Sequence, residues 1–303
     1  MSAVHRCQHS DEGYGSDNLS TSPVKRRLDS SIARDSVAFK NKYKVCGLLH
    51  NSANGLIYEC QRKSDNTTCI AKQVVKAKVT QWIIDPRTSR RIPKEFYLQQ
   101  LASSVQGVVQ IFDFYERRSS WVLVMEKPAN STDLFEVSAE VGKLDVSTAR
   151  TIWRHVCQTT INLHRAGVFH RDIKDENILV DVTSLKARII DFGCSDWFDP
   201  NKKYERFAGT HEFAPPEVFT IGTHRAEPTT VWSLGTLLYT MLMGRIPFDS
   251  TEAIKAGQFS RSISSLPKST QSAIKQCLQI NPAKRPTIEE LLAHPFLNNN
   301  NQD

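Results

Sequence analysis

The sequence has no run approaching the roughly 20 consecutive apolar residues that a membrane-spanning helix requires. Its polar N-terminal stretch also lacks the apolar block of a secretory signal. A membrane-embedded or secreted chain is therefore not expected. There is no Cys-x-x-Cys pair and no His/Cys cluster at zinc-binding spacing. The seven cysteines, at 7, 46, 60, 69, 157, 194 and 277, are odd in number, so free thiols in a cytoplasmic or nuclear protein are the expectation. Blocks of like charge are missing as well. The chain carries a net charge of +7, but Lys and Arg are scattered, with only short runs such as Lys25-Arg26-Arg27, and a solvated basic surface fits better than a nucleic-acid interface. No internal repeat is visible. What remains, 303 residues with 40% hydrophobic and 23% charged side chains, suffices for one large domain or two lobes with a sizeable core.

Residues 1–38 are rich in Ser, Asp, Arg and Lys and poor in large apolar side chains, and are expected to form a disordered tail. Within them, Thr21-Ser22-Pro23-Val24-Lys25-Arg26-Arg27 reads either as a proline-directed phosphosite beside a short nuclear-targeting run or as plain solvated tail. From about residue 40, short apolar or alternating runs at Tyr43–Leu49, Gly55–Cys60, Thr68–Val75, Val108–Tyr115 and Trp121–Met125 predict an antiparallel sheet. Pro93–Ser103 has helical spacing with its proline early. Beyond 144 the pattern is mainly helical, at Asp145–Arg165, Thr229–Met243, Ser269–Ile280 and Thr287–Ala293. Five strands with one helix, followed by a helical half, predict a two-lobed α+β protein with a ligand cleft between the lobes. Asn298–Asp303 is a polar tail.

The chemistry is concentrated in His170-Arg171-Asp172-Ile173-Lys174-Asp175-Glu176-Asn177 and, 14 positions on, Asp191-Phe192-Gly193. Each member has a separate task in phosphoryl transfer. Asp172 can accept the proton of a substrate hydroxyl. Lys174 can neutralise charge on the transferred group and favours a Ser/Thr-type over a Tyr-type enzyme. Asn177 and Asp191 are oxygen donors suited to Mg²⁺. Lys72, in a strand, can reach ATP phosphates if an anion holds it, and Glu95 is the candidate. Glu217, in Ala214-Pro215-Pro216-Glu217, and Arg285 are expected to form a structural ion pair.

In order and spacing these residues resemble the eukaryotic protein kinases over residues 39–297. Three features are similar to the Pim family of the calmodulin-kinase-like group: Thr230 where most kinases carry Asp, the hinge Glu126-Lys127-Pro128, and the wording of the His170–Asn177 loop. The resemblance implies a protein-kinase fold, with a small lobe at 39–125, a hinge at 126–133 and a large lobe at 134–297. It implies a non-specific Ser/Thr protein kinase using ATP and Mg²⁺, active without activation-loop phosphorylation. The implied partners are protein substrates with basic residues near the acceptor, without nucleic acid or membrane, and the chain is expected to be a monomer. It makes Met125 the gatekeeper, puts Ile57 and Leu179 on the two faces of adenine with Leu49, Gly55, Ile70, Glu126 and Pro128 around the nucleotide, and turns Asp133 toward the ribose.

Departures from the family pattern lie on the opposite wall. Where G-x-G-x-x-G is usual, the chain reads His50-Asn51-Ser52-Ala53-Asn54-Gly55, and Ile70 stands where a small residue normally covers adenine. Weakened ATP binding is expected, and a pseudokinase scaffold is the alternative function. Glu205 is expected to neutralise Arg171 in place of a phosphate, with phosphorylated Tyr204 as the second option. Cys194 reads either as a reactive thiol or as a packing residue. Asp133, Glu136 and Glu176 are expected to recognise substrate arginines, whereas Thr240 and Arg245 replace two family acids.

Overall fold

The computed structural model describes residues 23–52 and 55–298, with side chains described from residue 32 onward except at Ser52. The chain opens with helix α1 (Pro23–Lys42). A five-stranded antiparallel sheet follows, built from β1 (Tyr43–Ser52), β2 (Gly55–Arg62), β3 (Thr68–Val75), β6 (Ile111–Glu116) and β7 (Ser120–Glu126) in the order β1-β2-β3-β7-β6. Between β3 and β6 lie a small hairpin, β4 (Trp82–Ile84) with β5 (Arg91–Pro93), and helix α2 (Lys94–Leu101). The expected α+β architecture is present, with a helical second half.

That half begins with β8 (Ser131–Asp133), α3 (Leu134–Val141) and α4 (Val146–Arg165). Short strands then frame the loop His170–Asn177: β9 (Val168–Phe169), β10 (Ile178–Asp181), β11 (Ala187–Ile189) and β12 (Asp196–Trp197). Six helices complete the lobe, α5 (Pro216–Thr220), α6 (Ala226–Met243), α7 (Thr251–Ala256), α8 (Lys268–Cys277), α9 (Ile288–Leu292) and α10 (Pro295–Asn298). Helix α6 is buried almost all round, which is why its sequence is apolar without a polar face. It ends at Gly244, whose φ of +68° places it in the left-handed conformation that closes helices. No helix among the described residues is long and apolar enough to cross a membrane.

The expectation of a disordered tail is corrected for residues 23–38, which are helical; residues 1–22, including the Ser22 motif, lie outside the described residues. One aromatic and one carboxylate explain the docking. Phe39 is buried on the outer sheet face, stacked on Tyr43 and edge-on to Tyr115. The Asp35 carboxylate accepts from Arg90 at 2.6 Å and from the Glu116 amide at 2.8 Å. The helix sequence is mostly polar, and its composition therefore reads as tail.

Candidate active site

Strand alternation assembles the roof of the cleft. Side chains two apart share a face, so Ile70 and Lys72 on β3 both point downward. The sheet register sets Ile57 opposite Lys72, and Glu59 and Met125 on either side of Ile70. Lys72 Nζ reaches Glu95 Oε1 on α2 at 2.6 Å and Asp191 Oδ1 at 2.9 Å. Burial alone would lower the pKa of this ammonium, but Glu95 and then Asp191 outweigh it and hold the pKa above the ordinary lysine value. Burial would likewise raise the Asp191 carboxyl, yet Lys72 beside it keeps it below the usual carboxylate range. The expected Lys72–Glu95 pair is thus formed, and it extends across the cleft to the second lobe.

The floor is the loop His170–Asn177. Asp172 Oδ1 accepts from the Thr210 amide at 2.8 Å, and Oδ2 accepts from Asn177 Nδ2 at 3.0 Å. Lys174 Nζ lies 3.9 Å from Asp172 Oδ2. Two non-glycine residues here have left-handed backbones, Arg171 at φ +72° and Asp191 at φ +62°. Such strain persists only where the surroundings over-determine it. His170 contributes by packing: its buried ring lies edge-on to Phe192 and Nε2 meets Ile190 O at 3.0 Å. Burial lowers its pKa below the ordinary imidazole value, against the opposing pull of Asp172. Gly209 is required for close approach, since a Cβ there would stand 2.4 Å from Arg171 O.

Donor chemistry tests whether a divalent ion fits. Asp191 Oδ1 is taken by Lys72 and by the Gly193 amide at 3.1 Å, which leaves Oδ2. Asn177 Nδ2 donates to Asp172, which leaves Oδ1 as an acceptor. Among the described residues no group of three or more His, Cys, Asp or Glu could hold a metal. Two hard oxygens without a full protein cage match an ion that keeps water and phosphate ligands, which is how Mg²⁺ is usually held.

Ile57, Ile70 and Met125 share the sheet face of Lys72 by register, and like Leu179 they are only partly buried. Leu179 rises from β10, paired with Asp133 of β8. Asp133 is tied down as the N-cap of α3, accepting from the Glu136 amide at 2.8 Å. The other residues expected around the nucleotide are Glu126, Pro128, Leu49 and Gly55. Glu126 turns its carboxylate to Arg188 at 2.6 Å and to the Gln110 amide at 3.2 Å. Pro128 borders a surface hollow of about 690 Å³ with Thr68, Asn130 and Val182. Leu49 is half-exposed in a β1 bulge. Gly55 lies under β3, where an added Cβ would meet Gln73 O at 1.8 Å. His50 is exposed, and Ala53 and Asn54 lie outside the described residues. A contact that sequence reasoning missed is Glu59 with Lys127, an ion pair from β2 to the hinge beside Ile70.

The activation segment overturns one expectation. Arg171 pairs with Asp196 Oδ2 at 3.4 Å and donates to Arg206 O. Glu205 is exposed and is not its partner. The reason is position: Asp196, in β12, is fixed beside β9 immediately before the catalytic loop. Tyr204 is buried, with its hydroxyl on Trp197 O, and so is not accessible for modification. Burial pushes the Cys194 thiol up to about 11, which favours packing over a reactive thiolate. Glu217 and Arg285 form the expected buried pair, at 2.8 and 2.6 Å. Thr230, the substitute for Asp, bonds Ala226 O at 2.9 Å and meets His164 Nε2 at 3.3 Å.

Beside Asp172 opens a hollow of about 660 Å³ bordered by Phe135, Lys174, Glu176, Glu212, Thr240 and Arg245. Glu176 is engaged by Lys174, and Glu136 accepts from Thr132 at 2.6 Å. Arg245 has only a 4.0 Å approach to Asp249, both half-exposed.

The family description "Protein kinase domain" matches residues 43–297. The chain is 36% identical over 269 residues to the serine/threonine-protein kinase pim-2 of Danio rerio, covering 86% of each chain. It is 30% identical over 280 residues to the serine/threonine-protein kinase prk-2 of Caenorhabditis elegans, covering 90% of this chain and 62% of that one. A PAS domain-containing serine/threonine-protein kinase of Mus musculus is 29% identical, over 91% of this chain and 20% of its own length.

Proposed function

The chain belongs to the protein kinase family, as a serine/threonine protein kinase, and from that premise we propose how its residues carry the transfer of the ATP γ-phosphate to a protein hydroxyl. Asp172 orients the acceptor hydroxyl and takes its proton. Its carboxylate is suited to this because Thr210 and Asn177 hold both oxygens. Lys174 offsets negative charge on the phosphoryl group in flight, and Lys72, held by Glu95, anchors the ATP phosphates. Asn177 Oδ1 and Asp191 Oδ2 would hold Mg²⁺, which when bound neutralises phosphate charge. Catalysis of this kind rests on positioning and electrostatics. The observation that carries the reading is the closed chain Glu95–Lys72–Asp191, which joins the two lobes.

Protein substrates with Arg near the acceptor would meet Glu136 and Glu176, while Arg245 disfavours a more distant basic residue. Activity would need no phosphate on the activation segment. The test is a thermal shift with Mg-ATP together with phosphorylation of a basic Ser/Thr peptide. The wild type is expected to be stabilised by nucleotide and to transfer phosphate, and Asp191→Asn to lose transfer. No nucleotide shift, with equal signals from both proteins, would leave a non-catalytic scaffold, the reading that His50 and Ile70 favour.

Ile70 supplies a separate prediction. Its extra bulk in the roof is expected to cost on the order of 1–3 kcal/mol of nucleotide binding. Ile70→Ala is therefore expected to tighten Mg-ATP binding by roughly tenfold, about 1.4 kcal/mol. Calorimetric titration checks this, and an unchanged Kd would show that Ile70 does not crowd the nucleotide.

A further inference from the structure

Strands β2 and β3 bring two cysteines face to face on the side of the sheet away from the cleft. Cys60 stands directly opposite Cys69 in the ladder. Both are free thiols and fully buried, in one apolar cluster with Phe39 of α1, Tyr43 and Tyr115. Directly opposite residues of an antiparallel pair have Cα atoms about 4.5–5.5 Å apart, which lies inside the roughly 4.4–6.8 Å that a disulfide spans. The thiols are already hydrogen-bond partners, with Cys60 donating to the Cys69 sulfur. Cys69 Sγ in turn reaches Thr67 O at 3.2 Å. Burial pushes the Cys60 thiol up to about 12. It raises the Cys69 thiol too, but Arg62 beside it pulls the other way, so Cys69 is the better nucleophile of the two.

We propose that Cys60 and Cys69 are a redox modification site, a thiol pair that a hydroperoxide closes into a cross-strand disulfide and a dithiol reopens. In the first step the Cys69 sulfur attacks one oxygen of hydrogen peroxide. The O–O bond breaks, Cys69 becomes a sulfenic acid, and the other oxygen leaves as water. In the second step the Cys60 sulfur displaces the sulfenic hydroxyl, the S–S bond forms, and the Cys60 proton leaves with that hydroxyl as a second water. Two thiols are oxidised to one disulfide and one peroxide is reduced to two waters. Both sulfurs lie in the cluster that Phe39 joins to α1, so the oxidant reaches them when α1 lifts, and local opening sets the rate. Closure also acts on the other sheet face. Opposed Cβ atoms about 4.5–5.5 Å apart are drawn to about 3.8 Å, and each strand rolls about its own axis. Glu59 and Ile70, adjacent to the two cysteines and directly opposite one another, then splay apart on the cleft side, beside Lys72. The bridged roof is expected to hold Mg-ATP more weakly. That coupling rests on the kinase reading above; the bridge does not.

The test treats the full chain with hydrogen peroxide, blocks the remaining thiols under denaturing conditions and maps tryptic peptides by mass spectrometry. Trypsin cuts after Arg62 and Lys63, between the two cysteines. The bridge is therefore expected as a linked pair of peptides, two hydrogens lighter than the separate thiol peptides together, and is expected to disappear with dithiothreitol. Phe39→Ala, which loosens α1, is expected to speed closure by about threefold or more. Cys46 is exposed and follows Val45, the residue opposite Cys60 on β1. Cys46→Ala is expected to leave the bridge intact, and a bridge that needs Cys46 overturns the assignment. Peroxide is expected to raise the Kd for Mg-ATP by about 3–10-fold, on the scale of a shape change in a packed wall, with reversal by dithiothreitol and no effect in Cys60→Ala. Thiols that stay free in both wild type and Phe39→Ala overturn the site. A bridge that leaves the Kd within about twofold overturns its coupling to the cleft. The mapping is decided on wild type, so a variant that fails to fold does not spare the site. A reduced wild type that binds no Mg-ATP overturns the kinase reading, and the linked peptides then decide the site alone.

Discussion

Asp172→Asn is expected to lower kcat by about 10²–10⁴-fold, the range that a positioned general base contributes, while the Kd for Mg-ATP stays within about threefold. The separation follows from the division of labour in the cleft. Asp172 is held by the Thr210 amide and by Asn177 Nδ2, both of them donors. An asparagine offers one acceptor oxygen and one donor nitrogen, so it can satisfy one of these neighbours and must oppose the other. The base is lost and its frame is disturbed, but the phosphate anchor at Lys72 and the oxygens of Asp191 are on separate elements and remain. Single-turnover transfer to a basic peptide, with nucleotide binding measured alongside, checks the prediction. A kcat within tenfold of wild type would remove Asp172 from the role assigned to it.

Arg285→Ala is expected to produce the largest loss of stability, about 3–5 kcal/mol, because it leaves Glu217 buried and unpaired. The guanidinium is fully buried against a carboxylate that is 3% exposed. It also donates to Pro228 O and Gln279 O, each at 2.9 Å, and lies 4.9 Å over the Trp232 ring. With Ile280 O, at 3.4 Å, its removal strands three carbonyls and a charge at once. For a domain of this size the loss corresponds to a fall in melting temperature of roughly 6–20 °C. Replacing both partners, Glu217→Leu with Arg285→Met, should be less damaging than the single change, since no charge is then left alone in the interior. Thermal and urea denaturation of the three variants would decide. A single-variant loss below about 1 kcal/mol would show that water reaches the pair.

Most of the site was legible because its parts are short and local. The His170–Asn177 loop and Asp191–Gly193 place base, lysine and oxygen donors by chain connectivity alone, and the structure brings Asp172, Lys174 and Asn177 together. Alternation in β3 made Lys72 inward-facing, and the first turn of α2 made Glu95 its natural partner. Other features depended on contacts that composition does not carry. Helix α1 docks through Phe39 and Asp35 and leaves too little apolar surface to be read as structured. The hairpin of β4 and β5 consists of strands too short to show a period. The Glu59–Lys127 pair joins residues 68 positions apart.

The partner of Arg171 marks the boundary most clearly. By itself the sequence determined the two-lobed α+β fold, the candidate catalytic residues and the need for an anion beside a buried arginine. Sequence reasoning put Glu205 in that place, nine residues beyond Asp196. Only the tertiary structure decided between them, by pairing β12 with β9 and so holding Asp196 where Lys94 and Arg171 converge. The physical reason is that a charge's contribution depends on its distance to other charges and on its removal from water, and neither quantity is set until distant segments of the chain have met.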